Sequence, residues 1–239
     1  REFVGLVAAL DDEVAAVGGP IRAIWMVPRP DWLSDRWQGH FTVSEFPHAR
    51  ESGEFRNPNY PWGANMAFRK DIFPIAGMFP TELGRVGNCL LSNEEIDLFR
   101  RIEGSGNRIR FAADAVIQHK ISAERMRKSW LYHRTYWQGR SEAVIDIRNG
   151  HDLYRNFLQK VSFFFNSSNS SEFDYRCMEK SAFGYIYHVL ASEGENGEFR
   201  RLRALKVLLR SLMAPSTSRG ALGAGEQDAI PNRFIQDLL

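Results

Sequence analysis

The alternation of apolar and polar positions predicts both helices and short strands in the first half of the chain. Two segments place apolar side chains at helical spacing, and two other apolar runs are typical of strands. The predicted helices span residues 2–10 and 94–103, one predicted strand spans residues 14–25, and residues 108–119 are predicted to form one or two short strands. Gly18 and Gly19 interrupt the first strand, Gly104 ends the second helix, and His119 ends the last strand.

Helical periodicity dominates after residue 122. A segment rich in arginine and aromatic side chains predicts a long helix, and three more helices are indicated further along the chain. The four predicted helices span residues 123–143, 152–165, 175–192 and 198–213. A polar linker is expected at residues 166–172, and the small, polar residues from 214 onwards predict a flexible tail.

Composition describes an ordinary globular protein. The 239 residues are 44% hydrophobic and 25% charged, and the formal net charge is only +2, which does not indicate nucleic-acid binding. Two cysteines cannot form a disulfide framework, so we expect a cytoplasmic location. Nothing reaches the roughly 18 consecutive apolar residues that a membrane-spanning helix needs.

Three carboxylates, Glu94, Glu95 and Asp97, open the predicted helix that ends at Gly104. A structural interpretation is that Ser92 and Glu95 form a capping box and that the acidic residues face the positive end of the helix dipole. A functional interpretation is that one carboxylate is a general base that removes a proton from an attacking hydroxyl. Spacing alone leaves both interpretations open.

Two neighbouring segments favour the functional interpretation. Upstream, Gly63 allows backbone to approach a ligand closely, and Trp62 offers a flat apolar face. Downstream, His119 shares one face of its strand with Ala115 and Ile117 by period-two counting. Each feature is weak alone, and their order and spacing together form the signal.

The ordered set of motifs from residue 17 to residue 143 resembles the C-terminal half of a family 2 glycosyltransferase with the GT-A fold. The matching pieces are Gly63, Asn65, Met66, Arg69 and Lys70, then residues 77–84, 94–101, His119 and 134–141. The implied fold class is α/β, the C-terminal portion of a GT-A (nucleotide-diphospho-sugar transferase) mixed sheet flanked by helices and followed by a helical extension.

The resemblance also implies roles for individual residues. Such enzymes transfer a sugar from a nucleotide-diphosphate donor to a glycan or lipid-linked acceptor with inversion, as in polysaccharide or cell-envelope glycan synthesis. Glu95 stands at the position of the catalytic base, where the family usually has Asp, and Glu94 is the alternative. His119 stands where a histidine helps to hold a divalent cation, Mn²⁺ or Mg²⁺, on the donor diphosphate. The donor- and acceptor-binding candidates are Trp62, Gly63, Ala64, Asn65, Asp97, Arg134 and Arg140.

The resemblance divides the chain into four parts. They are a partial GT-A catalytic domain at 1–122, basic aromatic helices at 123–165, a helical extension at 166–213 and a flexible tail at 214–239. The family's Asp-x-Asp motif is not found, and "ALDDEV" at residues 9–14 follows a helix rather than a strand. We therefore expect a truncated piece with little activity in isolation. The alternative is a non-catalytic carbohydrate- or partner-binding module that retains the fold.

The predicted helix at 198–213 carries leucines along one stripe and basic side chains elsewhere. Such a helix binds an anionic membrane surface, here the inner face of the plasma membrane, or packs its leucines on the protein. The sequence leaves both outcomes open.

Overall fold

The computed structural model describes residues 2–87, 89–166 and 171–192, and its architecture is mixed α/β. Within these residues, a three-stranded and a two-stranded sheet are flanked by helices. The strands are β1 (Val14–Gly18), β2 (Ile21–Trp25), β3 (Met66–Phe68), β4 (Arg108–Phe111) and β5 (Ile117–Ile121). The fold class predicted from the sequence, α/β with helix-flanked sheets, is confirmed.

Helices lie before, between and after the strands, and the longest ones form the second half of the described chain. They are α1 (Glu2–Ala8), α2 (Pro47–Ser52), α3 (Phe73–Ala76), α4 (Glu94–Gly104), α5 (Lys128–Arg148), α6 (Leu153–Asn166) and α7 (Glu172–Ser192). The single helix predicted at residues 123–143 is divided, because Arg127 has an extended backbone between a 3₁₀ turn at Ala123–Met126 and α5.

The two sheets are formed by strands that follow one another in sequence, because β2 follows β1 and β5 follows β4. β1 pairs with β3 in antiparallel orientation and with β4 in parallel orientation, while β2 pairs in parallel with β5. All five residues of β1 are buried, and α4 packs Leu98, Phe99 and Ile102 into the same core. The apolar run predicted as one interrupted strand is therefore two strands that belong to different sheets.

Close backbone contacts at Gly18 and Gly19 explain the interruption. A Cβ atom at Gly18 would lie 2.4 Å from the ring of Pro61, and one at Gly19 would lie 2.4 Å from the carbonyl oxygen of Ala115. Only glycine fits at such distances. The next residue, Pro20, has no N–H to donate to a neighbouring strand, so the ladder of β1 ends here and β2 begins a new one.

Asn65 joins the two sheets at this interruption. Its side-chain amide is 2% exposed, and Nδ2 donates to the carbonyl oxygens of Pro20 and Ala115 at 3.0 and 2.7 Å. The backbone N–H of Asn65 also donates to the carbonyl oxygen of Trp62 at 2.9 Å and closes a turn. One residue therefore fixes the start of β2, the approach to β5 and the loop at residues 62–65.

Strand β5 confirms the alternation predicted for its residues and extends it. Gln118 and Lys120 are exposed, whereas Ile117 and His119 are partly buried and Ile121 is fully buried. The strand continues two residues beyond the predicted end, so His119 is its central residue. A central position holds the imidazole more firmly than a strand end would, because hydrogen bonds to β2 flank it on both sides.

Two glycines allow α5 and α7 to cross at very short distance. A Cβ atom at Gly139 would lie 1.8 Å from the carbonyl oxygen of Ser181, and one at Gly184 would lie 1.9 Å from that of Tyr136. The crossing also places α7 against the turn at Asp35–Phe41, since the indole N–H of Trp37 donates to Asp174. Helix α5 is thus held firmly against the rest of the molecule.

Some sequence predictions lie outside the described residues. These are the central part of the linker at 166–172, the helix at 198–213 with its membrane or packing role, and the tail at 214–239. Among the helices that are described, none is long and apolar enough to cross a membrane.

We expect Asn65→Ala to lower the free energy of unfolding by about 2–4 kcal/mol, since two buried carbonyl oxygens lose their donor. Urea denaturation followed by circular dichroism measures this change. Asn107→Ala is the matched control, because its amide donates only to Ser105 at an exposed position. Equal stability of the two variants would contradict the role of Asn65 in joining the sheets.

Gly139→Ala should lower the free energy of unfolding by about 1–3 kcal/mol or more, because the added methyl group overlaps backbone of α7. Gly104→Ala, at the end of α4 with open space around it, should be neutral or stabilising. Thermal unfolding of both variants makes the comparison. A Gly139→Ala protein as stable as the parent would show that the helices separate at no cost.

Candidate active site

A cavity of about 530 Å³, called the first cavity below, opens between the loop at residues 62–64, the start of α4, the middle of β5 and the first turns of α5. It collects most of the residues that the sequence singled out. Those residues are Trp62, Gly63, Ala64, Glu94, Glu95, His119 and Arg134. Side chains separated by more than 70 residues in sequence thus face one space.

Glu95 lies in the first turn of α4 and presents its carboxylate to the first cavity. Burial raises the pKa of this carboxyl, and the charge of Glu94 raises it further. The backbone N–H of Gly63 and the charge of Arg134 partly oppose that increase. Oε2 of Glu95 is buried without a hydrogen-bond partner among the described residues. A buried carboxylate oxygen without a partner is suited to receive a proton from a bound ligand.

Glu94 is the second carboxylate of the first cavity. Its Oε2 is also buried and has no hydrogen-bond partner within the described part of the chain. The carboxylate lies beside Gly84, whose positive φ of 92° is typical of glycine. Two adjacent carboxylates with unpaired oxygens repel each other, and a ligand that donates hydrogen bonds would relieve that repulsion.

The capping box predicted for Ser92 and Glu95 is wrong. Helix α4 begins at Glu94, its N-cap is Asn93 in the left-handed conformation, and no side chain caps it. The hydroxyl of Ser92 instead accepts a hydrogen bond from Nη2 of Arg134 at 3.1 Å. The N-cap lies one residue later than the capping box requires. The side chain of Ser92 therefore does not cap α4, and its hydrogen bond with Arg134 connects the start of α4 to α5.

Arg134 is the most deeply buried cation of the first cavity, with 7% of the residue exposed. Nη2 donates to Ser92 and to Oε1 of Gln138, whereas Nε and Nη1 have no hydrogen-bond partner among the described residues. Burial, reinforced by the charge of Arg85, lowers its pKa to about 10, so the guanidinium is still charged at pH 7. A buried cation with unpaired donors indicates a site for an anion.

Other arginines add to the positive charge. Arg85 and Arg125 line the same cavity, and the charge of Arg85 contributes to lowering the pKa of Arg125, after burial. Arg36 enters from the turn at Asp35–Phe41. Mutual repulsion between arginines is relieved when an anion with several oxygens binds between them, because each oxygen accepts from a different guanidinium.

His119 faces arginines rather than further metal ligands. Its Nε2 lies 3.3 Å from Nη1 of Arg125. Burial lowers its pKa, and the charges of Arg125 and Arg85 lower it further. Within residues 2–87, 89–166 and 171–192, no three His, Cys, Asp or Glu side chains form a group that could hold a metal ion. One imidazole beside guanidinium groups is not enough to hold a cation on the protein alone. The metal-binding role of His119 comes from the family resemblance and stays a prediction.

Trp62 forms the apolar part of the wall. Its ring packs edge-on against Phe46 at a centroid distance of 5.2 Å. A Cβ atom at Gly39 would lie 3.1 Å from the indole, so the turn at Asp35–Phe41 approaches the ring closely. The exposed backbone at Gly63 and Ala64 leaves space in front of the two carboxylates. A flat ring beside hydrogen-bonding groups is a suitable surface for a sugar ring.

Three predicted binding residues do not line the first cavity. Asn65 joins the two sheets, as described above. Asp97 is buried and forms ion pairs with Arg101 at 2.8 Å and Arg148 at 3.6 Å. Arg140 lies on the other side of α5, where its guanidinium stacks 4.6 Å from the ring of Trp137. Their side chains have partners that stabilise the fold, and none of the three is part of the candidate site.

Several cavity residues escaped the sequence analysis: Arg36, His40, Arg85, Arg125, Gln138 and Glu142. Helical spacing offers a signal for two of them. Gln138 and Glu142 follow Arg134 at intervals of four residues and therefore share its face of α5. Arg36 and His40 lie in a Pro- and Trp-rich segment with no regular period, so no local pattern points to them.

Comparison with known proteins relates part of this chain to a glycosyltransferase. It is 29% identical over 136 residues to a glucosyl-dolichyl phosphate glucuronosyltransferase from Haloferax volcanii. The aligned region is 56% of this chain and 42% of the relative, so the chain spans about two fifths of the relative's length. No family model matches the chain. No solved structure matches it either.

We expect Arg134→Gln to weaken binding of inorganic pyrophosphate by about tenfold or more, because a buried charge-assisted contact is lost. Isothermal titration calorimetry measures the affinity. Arg140→Gln on the same helix is the matched control and should bind like the parent. Because Arg134 is buried, Arg85→Gln at an exposed position of the same cavity provides a second variant that leaves the fold intact. Retained affinity in both cavity variants would contradict an anion site.

Proposed function

We propose that the protein takes part in glycosyl transfer as a catalyst. In this reaction a sugar passes from a nucleotide-diphosphate donor to an acceptor hydroxyl, with inversion at the anomeric carbon. One observation carries the proposal. A carboxylate with a raised pKa and an unpaired oxygen shares a cavity with a buried arginine, two of whose guanidinium nitrogens have no partner among the described residues. The transfer requires both a base for the hydroxyl and a cation for the leaving diphosphate.

Glu95 is the proposed general base. Its carboxylate accepts the proton of the acceptor hydroxyl while the hydroxyl oxygen forms a bond to the anomeric carbon. The bond from that carbon to the diphosphate oxygen breaks on the opposite face, which gives inversion. A raised pKa makes the ionised carboxylate a stronger base than an ordinary glutamate, and a positioned base contributes about 10²- to 10⁴-fold in rate. Glu94 is the alternative base.

The arginines are the proposed stabilisers of the leaving group. The departing diphosphate gains negative charge, and the unpaired Nε and Nη1 of Arg134 are available to it. Arg85 and Arg125 lie in the same cavity and add positive charge. A divalent cation, Mn²⁺ or Mg²⁺, remains a prediction from the family resemblance. The described residues alone do not form a site for it, and no step here depends on it.

The relative supports a proposal for the acceptor class. Its name describes a transferase that acts on glucosyl-dolichyl phosphate, a lipid-linked sugar. We propose a glycan or lipid-linked acceptor for this chain as well. A role in polysaccharide or cell-envelope glycan synthesis, at a cytoplasmic location, is consistent with such an acceptor and remains a prediction from the sequence.

Glu95→Gln in the natural chain that contains these residues should lower kcat by about 10²- to 10⁴-fold, because the amide cannot accept the proton. Pyrophosphate affinity should be retained or increase, since the arginines are untouched and the cavity loses one negative charge. Radiolabelled sugar transfer measures the first quantity and calorimetry the second. Unchanged turnover would reject Glu95 as the base.

Glu94→Gln supplies a pH-dependent test. The charge of Glu94 raises the pKa of Glu95, so its removal should lower that pKa. The base works only when ionised, and activity is lost as pH falls through the pKa of Glu95. The acid limb of the kcat profile should therefore move to lower pH in Glu94→Gln, with most of the maximal rate retained. Loss of the rate at every pH in this variant, with activity in Glu95→Gln, would assign the base to Glu94.

A further inference from the structure

A second cavity of about 670 Å³ adjoins the first and lies between the turn at Asp35–Phe41 and helices α5, α6 and α7. The two cavities share four lining residues, Arg36, His40, Gln138 and Glu142. The two cavities are therefore adjacent, with these four side chains between them. The proposed transfer reaction uses only the cavity that contains Glu95, and the second has no role in it.

A polar stripe on α5, called the α5 stripe below, forms a wall common to both cavities. Its members follow one another at intervals of four residues, and they are Arg134, Gln138, Glu142 and Asp146. Arg134 lines the first cavity, Asp146 lines the second, and the two middle residues line both. Twelve residues of helix extend for about 18 Å, which is longer than a single monosaccharide.

Hydrogen bonds hold the α5 stripe in one arrangement. Nη2 of Arg134 donates to Gln138 at 3.0 Å, and Nε2 of Gln138 donates to Glu142 at 3.2 Å. Lys160 of α6 forms an ion pair with Glu142. Asp146 accepts from the amide of Asn156 at 3.0 Å. The wall of the second cavity is thus formed before any ligand enters, which lowers the entropic cost of binding.

The charge balance of the second cavity differs from that of the first. Arg36 and Lys160 supply two positive charges, and Glu142 and Asp146 supply two negative charges. Nε and Nη1 of Arg134 have no partner among the described residues, whereas Glu142 and Lys160 pair with each other and Asp146 accepts from Asn156. The remaining polar groups include amides and a hydroxyl, at Asn156, Gln159 and Ser181. Amides and hydroxyls suit a neutral ligand with many hydroxyl groups, whereas a second diphosphate would need excess positive charge.

We propose that the second cavity binds the penultimate sugar of an acceptor oligosaccharide, whose terminal sugar presents its hydroxyl to Glu95. The inference rests on the proposed function and specifies its acceptor as a chain of at least two sugars. An earlier glycosyl transfer must therefore supply the substrate. The continuous wall along the α5 stripe fixes the direction of the acceptor, from the second cavity towards the first.

Gln159→Trp tests the proposal, because an indole at this exposed position on the rim of the second cavity occupies space where the sugar would lie. Arg155→Trp is the matched control, one turn earlier on α6, exposed and outside the cavity lining. The probes are an array of mono- to tetrasaccharides, calorimetry with the best disaccharide and its terminal monosaccharide, and calorimetry with inorganic pyrophosphate.

The disaccharide should bind the parent about tenfold or more tightly than its terminal monosaccharide, and Gln159→Trp should remove that difference. Arg155→Trp should bind the disaccharide like the parent, and pyrophosphate affinity should be the same in all three proteins. Absence of binding by every oligosaccharide, or equal disaccharide affinity in Gln159→Trp and the parent, would overturn the inference.

The two proposals fail in different ways. If the parent binds pyrophosphate but no oligosaccharide, the second cavity is not an acceptor site and the proposed transfer is untouched. If the parent binds oligosaccharides in a manner that depends on Gln159 but does not bind pyrophosphate, the sugar site is supported, the transfer reaction is not, and a non-catalytic carbohydrate-binding module becomes the better description.

Discussion

Two hydrogen bonds from the buried amide of Asn65 hold together the ends of two sheets, and the geometry of the first cavity depends on them. They fix the start of β2 and the approach to β5, and with it the strand that carries His119. The same residue closes the turn that presents Trp62 and Gly63. Asn65 was predicted to bind the ligand, but its side chain instead holds in position the residues that line the site. Its own Oδ1 remains buried without a partner among the described residues, which is an unfavourable contribution that the two bonds offset.

The charges that line the first cavity are less stable when the cavity is empty than when a ligand is bound. Burial raises the pKa of Glu95 and lowers that of Arg134, so each charge is disfavoured by its surroundings. Direct pairing between the two would relieve both, yet Nη2 of Arg134 bonds to Ser92 and Gln138. The hydrogen bonds to these two neutral partners leave Nε and Nη1 of Arg134 without a partner among the described residues. The consequence is a site with separate positions for a proton acceptor and for an anion, as two-substrate transfer requires.

Local periodicity predicted the longer helices, and the family resemblance implied the fold class, but neither gave the long-range contacts. Helices α1, α4, α6 and α7 follow apolar spacing, which burial on one face imposes. The interruption at Gly18 and Gly19 was predicted, but the placement of β1 and β2 in different sheets was not. It arises from backbone contacts of the two glycines with distant residues. The spacing of Ser92 and Glu95 fits a capping box, but the hydroxyl of Ser92 accepts a hydrogen bond from Arg134 of α5 instead. Arg36 reaches the cavity from an irregular segment whose position depends on α7, and sequence spacing does not encode that contact.

The glycine crossing of α5 and α7 explains how one helix serves both cavities. With Gly139 and Gly184 at the contact, the helices approach until backbone atoms touch, so the axis of α5 cannot shift sideways. The Arg134 to Asp146 stripe lies beside this contact on α5, and Asp146 accepts a hydrogen bond from the hydroxyl of Tyr185 on α7. The stripe is therefore fixed relative to α7 as well as to α4 and α6. A larger residue at the crossing would displace the whole stripe and alter both cavities at once. Close packing of α5 on α7 is therefore the physical condition for the preformed wall that the stripe provides beside the contact.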